Sequence, residues 1–138
     1  MTNKKCAHLV TVGSSIITRC KAAIKELEEF DMAAPQTRED KELIKHATPN
    51  SKLFKKVLKL VEENPKDKSA ELNSMDDFLN QNSISSIYLF HTATGKGKFC
   101  SAILKKYLEN KSKNIEVRLI KVNDFGIDFS KGLVNLLD

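Results

Sequence analysis

The segment from Ile87 to Cys100 constrains the fold more than any other part of this chain. An apolar run, Ile87 to Phe90, leads directly into a turn of small residues and lysines, HTATGKGK, and then into an amphipathic segment. This order predicts a buried strand, a tight turn and a helix that begins beside the carboxyl end of the strand. Because free main-chain N–H groups and the positive end of the helix dipole meet there, we expect a site for a polyanion such as a phosphorylated ligand.

Apolar spacing elsewhere predicts two more strands and several helices. A first strand covers Ala7 to Val12 and a third covers Ile115 to Val122, where strict alternation indicates one well-buried face. Helices are predicted from Ile16 to Phe30, from Glu39 to His46, after Ser51, from Ala70 to Leu79 with Ser69 as the cap, from Lys98 to Lys111, and from Asp128 onwards.

Strands that are joined by helical crossovers must run parallel, and a parallel sheet is covered on both faces. We therefore expect one α/β domain over residues 1–138, a Rossmann-like parallel sheet of about three strands with helices on both faces. The first strand would then carry an unpaired edge, which proteins usually cover. This predicts either the first part of a larger domain, incomplete on its C-terminal side, or a protomer that pairs elsewhere.

The net charge and the numbers of cysteines and histidines indicate which partners and which kinds of site to expect. The net charge is +5 and the pI is about 9.1, which fits a nucleotide or RNA partner, although solvated lysine faces give the same balance. The three cysteines lack paired spacing, and the three histidines are far apart, so neither a disulfide scaffold nor a metal site is expected. No apolar run reaches membrane-spanning length, and the N-terminus is a poor signal peptide, so we expect a cytoplasmic protein.

Two strand-to-helix turns carry the candidate ligand-binding residues. In a parallel sheet both turns lie at the carboxyl edge, where hydroxyls and lysines can meet phosphate or ribose oxygens. The second turn is not a P-loop, because the glycine spacing and the Ser/Thr after the lysine are missing. It supplies two of three glycines of a dinucleotide fingerprint, with Cys100 in the third position, so a nicotinamide- or flavin-binding protein stays open as an alternative. The candidates are Gly13, Ser14, Ser15, Thr92, Thr94, Gly95, Lys96 and Gly97.

Four segments together resemble a known family. They are TVGSSI at 11–16, SAELNSM at 69–75, TATGKG at 92–97 and FSKGLVNLL at 129–137. In this order and spacing they are similar to the CRISPR-associated Rossmann-fold (CARF) domain of the archaeal Aeropyrum-type family. Such domains occur in type III CRISPR ancillary nucleases and in ring nucleases. The family continues into a further strand and a T-G-G turn, which these 138 residues do not contain.

The resemblance implies a homodimer that binds cyclic oligoadenylate across its two-fold axis as a sensor in antiviral defence. It places the ligand on the same two turns, and it implies an effector nuclease domain or companion chain as a further partner. A metal-independent ring nuclease that degrades cyclic tetra-adenylate is the alternative, with Ser14, Lys96 and Lys98 as its candidate catalytic residues. We expect no cofactor, no metal, and neither a membrane nor DNA as a partner.

Overall fold

The computed structural model describes residues 6–79 and 84–122. These residues form three strands, β1 (Cys6–Thr11), β2 (Ile84–Thr92) and β3 (Glu116–Val122). Six helices lie between β1 and β2, and one connects β2 to β3. The helices are α1 (Ser15–Cys20), α2 (Glu26–Met32), α3 (Arg38–Ile44), α4 (Lys52–Glu63), α5 (Pro65–Lys68), α6 (Ala70–Leu79) and α7 (Gly95–Lys111).

The three strands form one parallel sheet in the order β1-β2-β3. Leu9 pairs with Tyr88, and Tyr88 pairs in turn with Arg118, so the three strands are in register across the sheet. This confirms the predicted α/β class with a parallel sheet flanked by helices. Within the described residues β1 pairs only with β2.

The hydrophobic core lies on one face of the sheet, between the strands and the helices. Paired residues of parallel strands point to the same side, and the set formed by Val10, Ile87, Leu89 and Val117 packs with buried helical residues. α7 contributes the largest share of those helical residues, which are Phe99, Cys100, Ile103, Leu104, Tyr107 and Leu108. The core therefore fixes α7 and the carboxyl end of β2 relative to each other.

The predicted well-buried face of the third strand is wrong. Val117 is 6% exposed, but Leu119, two residues further on the same face, is 36% exposed. The reason is that β3 is the outermost described strand, so it has a strand neighbour on one side only. Alternation in the sequence identifies a strand but not its place in the sheet.

The helix predicted from Ile16 to Phe30 is in fact two helices. α1 ends at Cys20, and tight turns such as that from the Leu27 N–H to the Ile24 carbonyl (3.0 Å) lead into α2. The apolar stripe nevertheless stays buried through the break, which is why its spacing does not reveal it.

Other predicted boundaries hold more closely. Ser69 caps α6 through a 3.1 Å hydrogen bond from the Leu72 N–H, as predicted, and α7 begins three residues before the predicted start. The predicted last helix from Asp128 lies outside the described residues. None of the helices in the described ranges combines the length and the hydropathy needed to cross a bilayer.

Candidate functional site

The two predicted turns leave the sheet side by side. Thr11 is paired with Phe90, and one residue later the Val12 N–H donates to the Phe90 carbonyl at 2.8 Å. The segments 13–15 and 92–97 therefore begin at the same carboxyl edge of neighbouring strands. This is the edge at which open α/β sheets bind their ligands.

Thr94 organises the start of α7. It is the N-cap residue, and its Oγ1 accepts a 3.0 Å hydrogen bond from the Gly97 N–H. The Thr92 hydroxyl lies 2.7 Å from the same oxygen, so the two threonines form a hydroxyl pair at the mouth of the turn. A hydroxyl at the N-cap is a strong determinant of where a helix starts.

An internal carboxylate occupies the main-chain donors of this turn. Asp40 of α3 is only 1% exposed, and its carboxylate accepts from the Gly95 N–H at 2.9 Å and from the Lys96 N–H at 3.2 Å. The Gln36 N–H donates to the same carboxylate at 3.1 Å. A carboxylate at a helix N-terminus is stabilised by the helix dipole, as a phosphate would be. A ligand phosphate could reach these two N–H groups only by replacing Asp40.

Packing explains the two glycines of the turn without a ligand. A Cβ on Gly95 would collide with the main-chain carbonyl of Asp40, whose carbon would lie 2.8 Å away. A Cβ on Gly97 would lie 2.7 Å from the carbonyl oxygen of Thr92 and 2.5 Å from its hydroxyl. Both glycines let neighbouring segments approach α7 closely. Their presence therefore does not by itself indicate phosphate binding.

Lys96 is tied to the segment that follows α2. Its amine donates to the main-chain carbonyl of Asp31 at 2.5 Å. The Asp31 carboxylate bonds the Lys21 amine and the Thr18 hydroxyl, both at 2.8 Å. Hydrogen bonding to Lys21 holds the pKa of Asp31 below its ordinary value. The positive charge of Lys96 is thus close to the turn, but its amine already has a partner.

A second buried carboxylate binds the turn after β1, residues 13–15. Glu71 of α6 is 8% exposed and accepts from the Gly13 N–H at 2.8 Å and from the Ser15 hydroxyl at 3.1 Å. The Ser69 hydroxyl donates to it at 3.1 Å, and the Ala70 N–H donates to Ser15 at 3.1 Å. The segment 69–71, which carries part of the family resemblance, therefore locks α6 onto the turn after β1.

Ser14 differs from its neighbour Ser15. It occupies the N-cap position of α1, but its side chain makes no capping hydrogen bond. Ser14 is half-buried at the carboxyl edge of the sheet, and its hydroxyl is not used to cap α1. Of the three candidates in the first turn, Ser14 is the one whose side chain is best placed to meet a ligand.

Two further residues beside the turns have structural roles. His91 is 6% exposed, and its Nδ1 lies 2.8 Å from the Thr92 carbonyl, which can only accept, so Nδ1 carries the proton in this contact. Cys100 is fully buried, and burial raises the pKa of its thiol. This makes Cys100 a packing residue rather than a reactive thiolate.

Sequence reasoning missed Asp40 and Glu71, the two carboxylates that bind the turns. Each lies more than 50 residues from its main-chain partner, so no local spacing connects them. A local signal was present at Asp40, because Thr37-x-x-Asp40 has the spacing of a helix N-terminus, but that spacing does not reveal its contact with α7. Across residues 6–79 and 84–122 no three His, Cys, Asp or Glu side chains are arranged to hold a metal ion.

Comparison with protein families gives one match. Residues 66–138, just over half of the chain, match the model of a CRISPR-associated protein family, Cas_APE2256. The matched region includes α6, β2, α7 and β3, and with them Glu71 and the turn from Thr92 to Lys98. The turn after β1 precedes it. No curated protein matches the chain.

Proposed function

The chain belongs to the CRISPR-associated protein family Cas_APE2256, and from this premise we propose that it is a sensor of cyclic oligoadenylate in type III CRISPR defence. The observation that carries the proposal is the adjacency of the two turns, fixed by the 2.8 Å bond from the Val12 N–H to the Phe90 carbonyl. A sheet edge of this kind suits a phosphorylated ligand. The net charge of +5 favours its approach.

The side chains that a ligand meets first are polar and basic. In this proposal the Ser14 hydroxyl and the Thr92–Thr94 hydroxyl pair bind phosphate or ribose oxygens, since hydroxyls can both donate and accept. Lys98 lies half-buried in the first turn of α7 and neutralises phosphate charge. The Lys96 amine donates to the Asp31 carbonyl, whereas no described residue accepts a hydrogen bond from the Lys98 amine.

The remaining candidates contribute less directly. Lys96 acts through its charge while its amine stays on Asp31, and Ser15 and Gly13 hold the first turn through Glu71. Gly95 and Gly97 keep α7 close to Asp40 and Thr92. A phosphate that displaced Asp40 would gain two N–H donors, but it would leave that carboxylate to be accommodated elsewhere.

A cyclic ligand calls for a symmetric site. We propose that two copies of the chain form a homodimer and that each contributes one pair of turns to the ring, because a two-fold axis presents identical groups to identical phosphates. In the same proposal the bound state is passed to an effector nuclease domain or to a companion chain.

Calorimetry tests the proposal with cyclic tetra-adenylate as the ligand and linear tetra-adenylate as the control. We expect heat of binding with the ring and a stoichiometry of one ring per two chains. Absence of heat at high micromolar ring would refute the proposal. Incubation of labelled ring with the protein and EDTA for many hours distinguishes binding from cleavage, because only a metal-independent ring nuclease would open the ring.

Lys98→Ala and Lys105→Ala form a matched pair for the site. Both remove one lysine from α7, but Lys105 lies two turns further along the helix. Loss of a phosphate contact in both copies should weaken ring binding about tenfold or more, which corresponds to about 1.4 kcal/mol. We expect Lys105→Ala to bind within about twofold of the wild type. Equal effects of the two substitutions would mean that Lys98 is only surface charge.

A further inference from the structure

α4 carries a row of lysines on its outer side. The lysines follow one another at spacings of three, one and three residues, which places them together on one side of a helix. All of them are exposed, whereas the opposite side of α4 is buried in the core through residues such as Phe54 and Val57. Along the helix axis the row is about 10 Å long. The α4 lysine row consists of Lys52, Lys55, Lys56 and Lys59.

Little of the positive charge of the α4 lysine row is neutralised. The Lys56 amine lies 2.8 Å from the Glu26 carboxylate of α2, and both side chains are more than half exposed. The other three lysines of the row have no ion-pair partner in residues 6–79 and 84–122. Lys25 lines the same groove as Glu26 and Lys56, so it adds a further positive charge beside the row. Five lysines and one glutamate therefore give this surface a net charge of +4.

The charges of α4 oppose its helix dipole. A helix is stabilised by acidic residues in its first turn and by basic residues in its last turn. α4 has no acidic residue in the first turn and no basic residue in the last, where Glu62 and Glu63 lie instead. In contrast, α2, α3, α5 and α6 each carry an acidic residue in the first turn. The α4 lysine row is thus unfavourable for its own helix, and a bound polyanion would relieve the repulsion.

The side chains around the row distinguish between classes of polyanion. A membrane partner requires exposed apolar side chains beside the lysines, but the large apolar residues exposed in the described ranges are Met32 and Leu119, which lie outside α4. Protein interfaces are anchored by aromatic and apolar residues and are poor in lysine. The one aromatic residue of α4, Phe54, is 1% exposed. A protein partner would therefore find no anchor on this surface.

The same lack of aromatic side chains disfavours single-stranded nucleic acid, whose bases stack on exposed aromatic rings. A duplex hides its bases and presents phosphates at a high density, about one charge for each 1.7 Å of its axis. A surface that offers charge alone is therefore best matched by a duplex.

We propose that the α4 lysine row binds the phosphate backbone of double-stranded nucleic acid without sequence preference. Lys52, Lys55 and Lys59 would each contact phosphate. Lysine contacts phosphate as a point charge and carries no sequence information in that contact, so RNA and DNA duplexes should bind alike. This differs from the sequence-based expectation that DNA is not a partner. The proposal is independent of the cyclic oligoadenylate site, because α4 contributes no residue to the two turns.

Fluorescence anisotropy tests the proposal with the full chain and a labelled RNA duplex of about 16 base pairs. The row variant combines Lys52→Gln, Lys55→Gln and Lys59→Gln, because glutamine keeps the helix propensity of lysine and removes the charge. We expect the wild type to bind the duplex in about 50 mM salt, and the row variant to bind at least about tenfold more weakly. The slope of log K against log salt should become shallower by about three in the row variant.

The control variant removes three exposed lysines that lie outside α4. Both variants lower the net charge from +5 to +2, so they differ only in where the charge is lost. The control should weaken duplex binding by less than about threefold. Circular dichroism should show wild-type helix content in both variants. The control substitutions are Lys41→Gln, Lys111→Gln and Lys113→Gln.

Competition separates this site from others. Excess cyclic tetra-adenylate should leave duplex binding unchanged, and a chain that fails to bind the ring should still bind the duplex. Equal losses in the two variants would mean that net charge alone is responsible and would overturn the proposal. So would absence of binding in about 50 mM salt, tighter binding of the single strand, or displacement of the duplex by the ring or by polyglutamate of equal charge.

Discussion

Substitution of Gly95 by alanine separates the packing role of this glycine from a ligand-binding role. The added Cβ would collide with the carbonyl of Asp40 and would lie 3.0 Å from its Oδ1. α3 must then shift away from α7, which stretches the two hydrogen bonds from the Gly95 and Lys96 N–H groups to the Asp40 carboxylate.

The size of the effect follows from three contributions. Overpacking a tight contact costs about 1–3 kcal/mol, and weakening two hydrogen bonds to a buried carboxylate adds about 1.5–3 kcal/mol. Replacement of glycine by alanine in a helix returns up to about 1 kcal/mol. We therefore expect Gly95→Ala to lower the free energy of unfolding by about 1.5–5 kcal/mol, a fall in Tm of roughly 5–15 °C.

Gly13→Ala is the matched control. A Cβ there would meet only the Glu71 Oε2, at 3.7 Å, which is an ordinary contact, and Gly13 does not have a positive φ. We expect its stability to stay within about 0.5 kcal/mol of the wild type. Urea denaturation followed by circular dichroism measures both variants. If Gly95→Ala were as stable as Gly13→Ala, the contact between α3 and α7 would not be the reason for this glycine.

Three further predictions concern a buried carboxylate, two buried cysteines and a partly exposed ion pair. Glu71→Ala should cost about 2–4 kcal/mol in urea denaturation, because it leaves the donors at the first turn unpaired, and a loss below 0.5 kcal/mol would contradict this. Cys20 and Cys100 are buried with raised pKa values, so in the native protein a thiol reagent should leave both unmodified, as peptide mass analysis would show; rapid labelling would refute it. Because Lys21 lowers the pKa of Asp31, the stability from this pair is present above about pH 3.8 and lost as the pH falls through the lowered pKa. Lys21→Met should therefore flatten the acid limb of the stability curve, and an unchanged limb would exclude a contribution from the pair.

Local chemistry in the sequence was sufficient for the order of the three strands and for α3, α4, α6 and α7, but α5 was not predicted. The run from Ile87 to Phe90, the cap Ser69 and the stripe of α7 each report on neighbours a few residues away, and each is confirmed. The break between α1 and α2 was not predictable, because Ile24 continues the buried stripe through it.

The occupants of the turns could not be predicted for a different reason. Asp40 and Glu71 look like ordinary charged residues of helix surfaces, and only the tertiary fold brings them onto main-chain donors more than 50 residues away. Gly95 and Gly97 predict that another group approaches the main chain closely, and a ligand is one such group. The close approach is real, but it involves Asp40 and Thr92. A glycine in a turn indicates that another group approaches the main chain closely, but it does not identify that group as ligand or protein.

Titration of the isotope-labelled protein with cyclic tetra-adenylate, followed by amide NMR, tests most directly whether the two turns form one ligand site. We expect the largest shifts at residues 13–15 and 92–98 together, saturating at one ring per two chains. Shifts confined to one turn, shifts centred elsewhere, or none at high micromolar ring would contradict the proposed sensor.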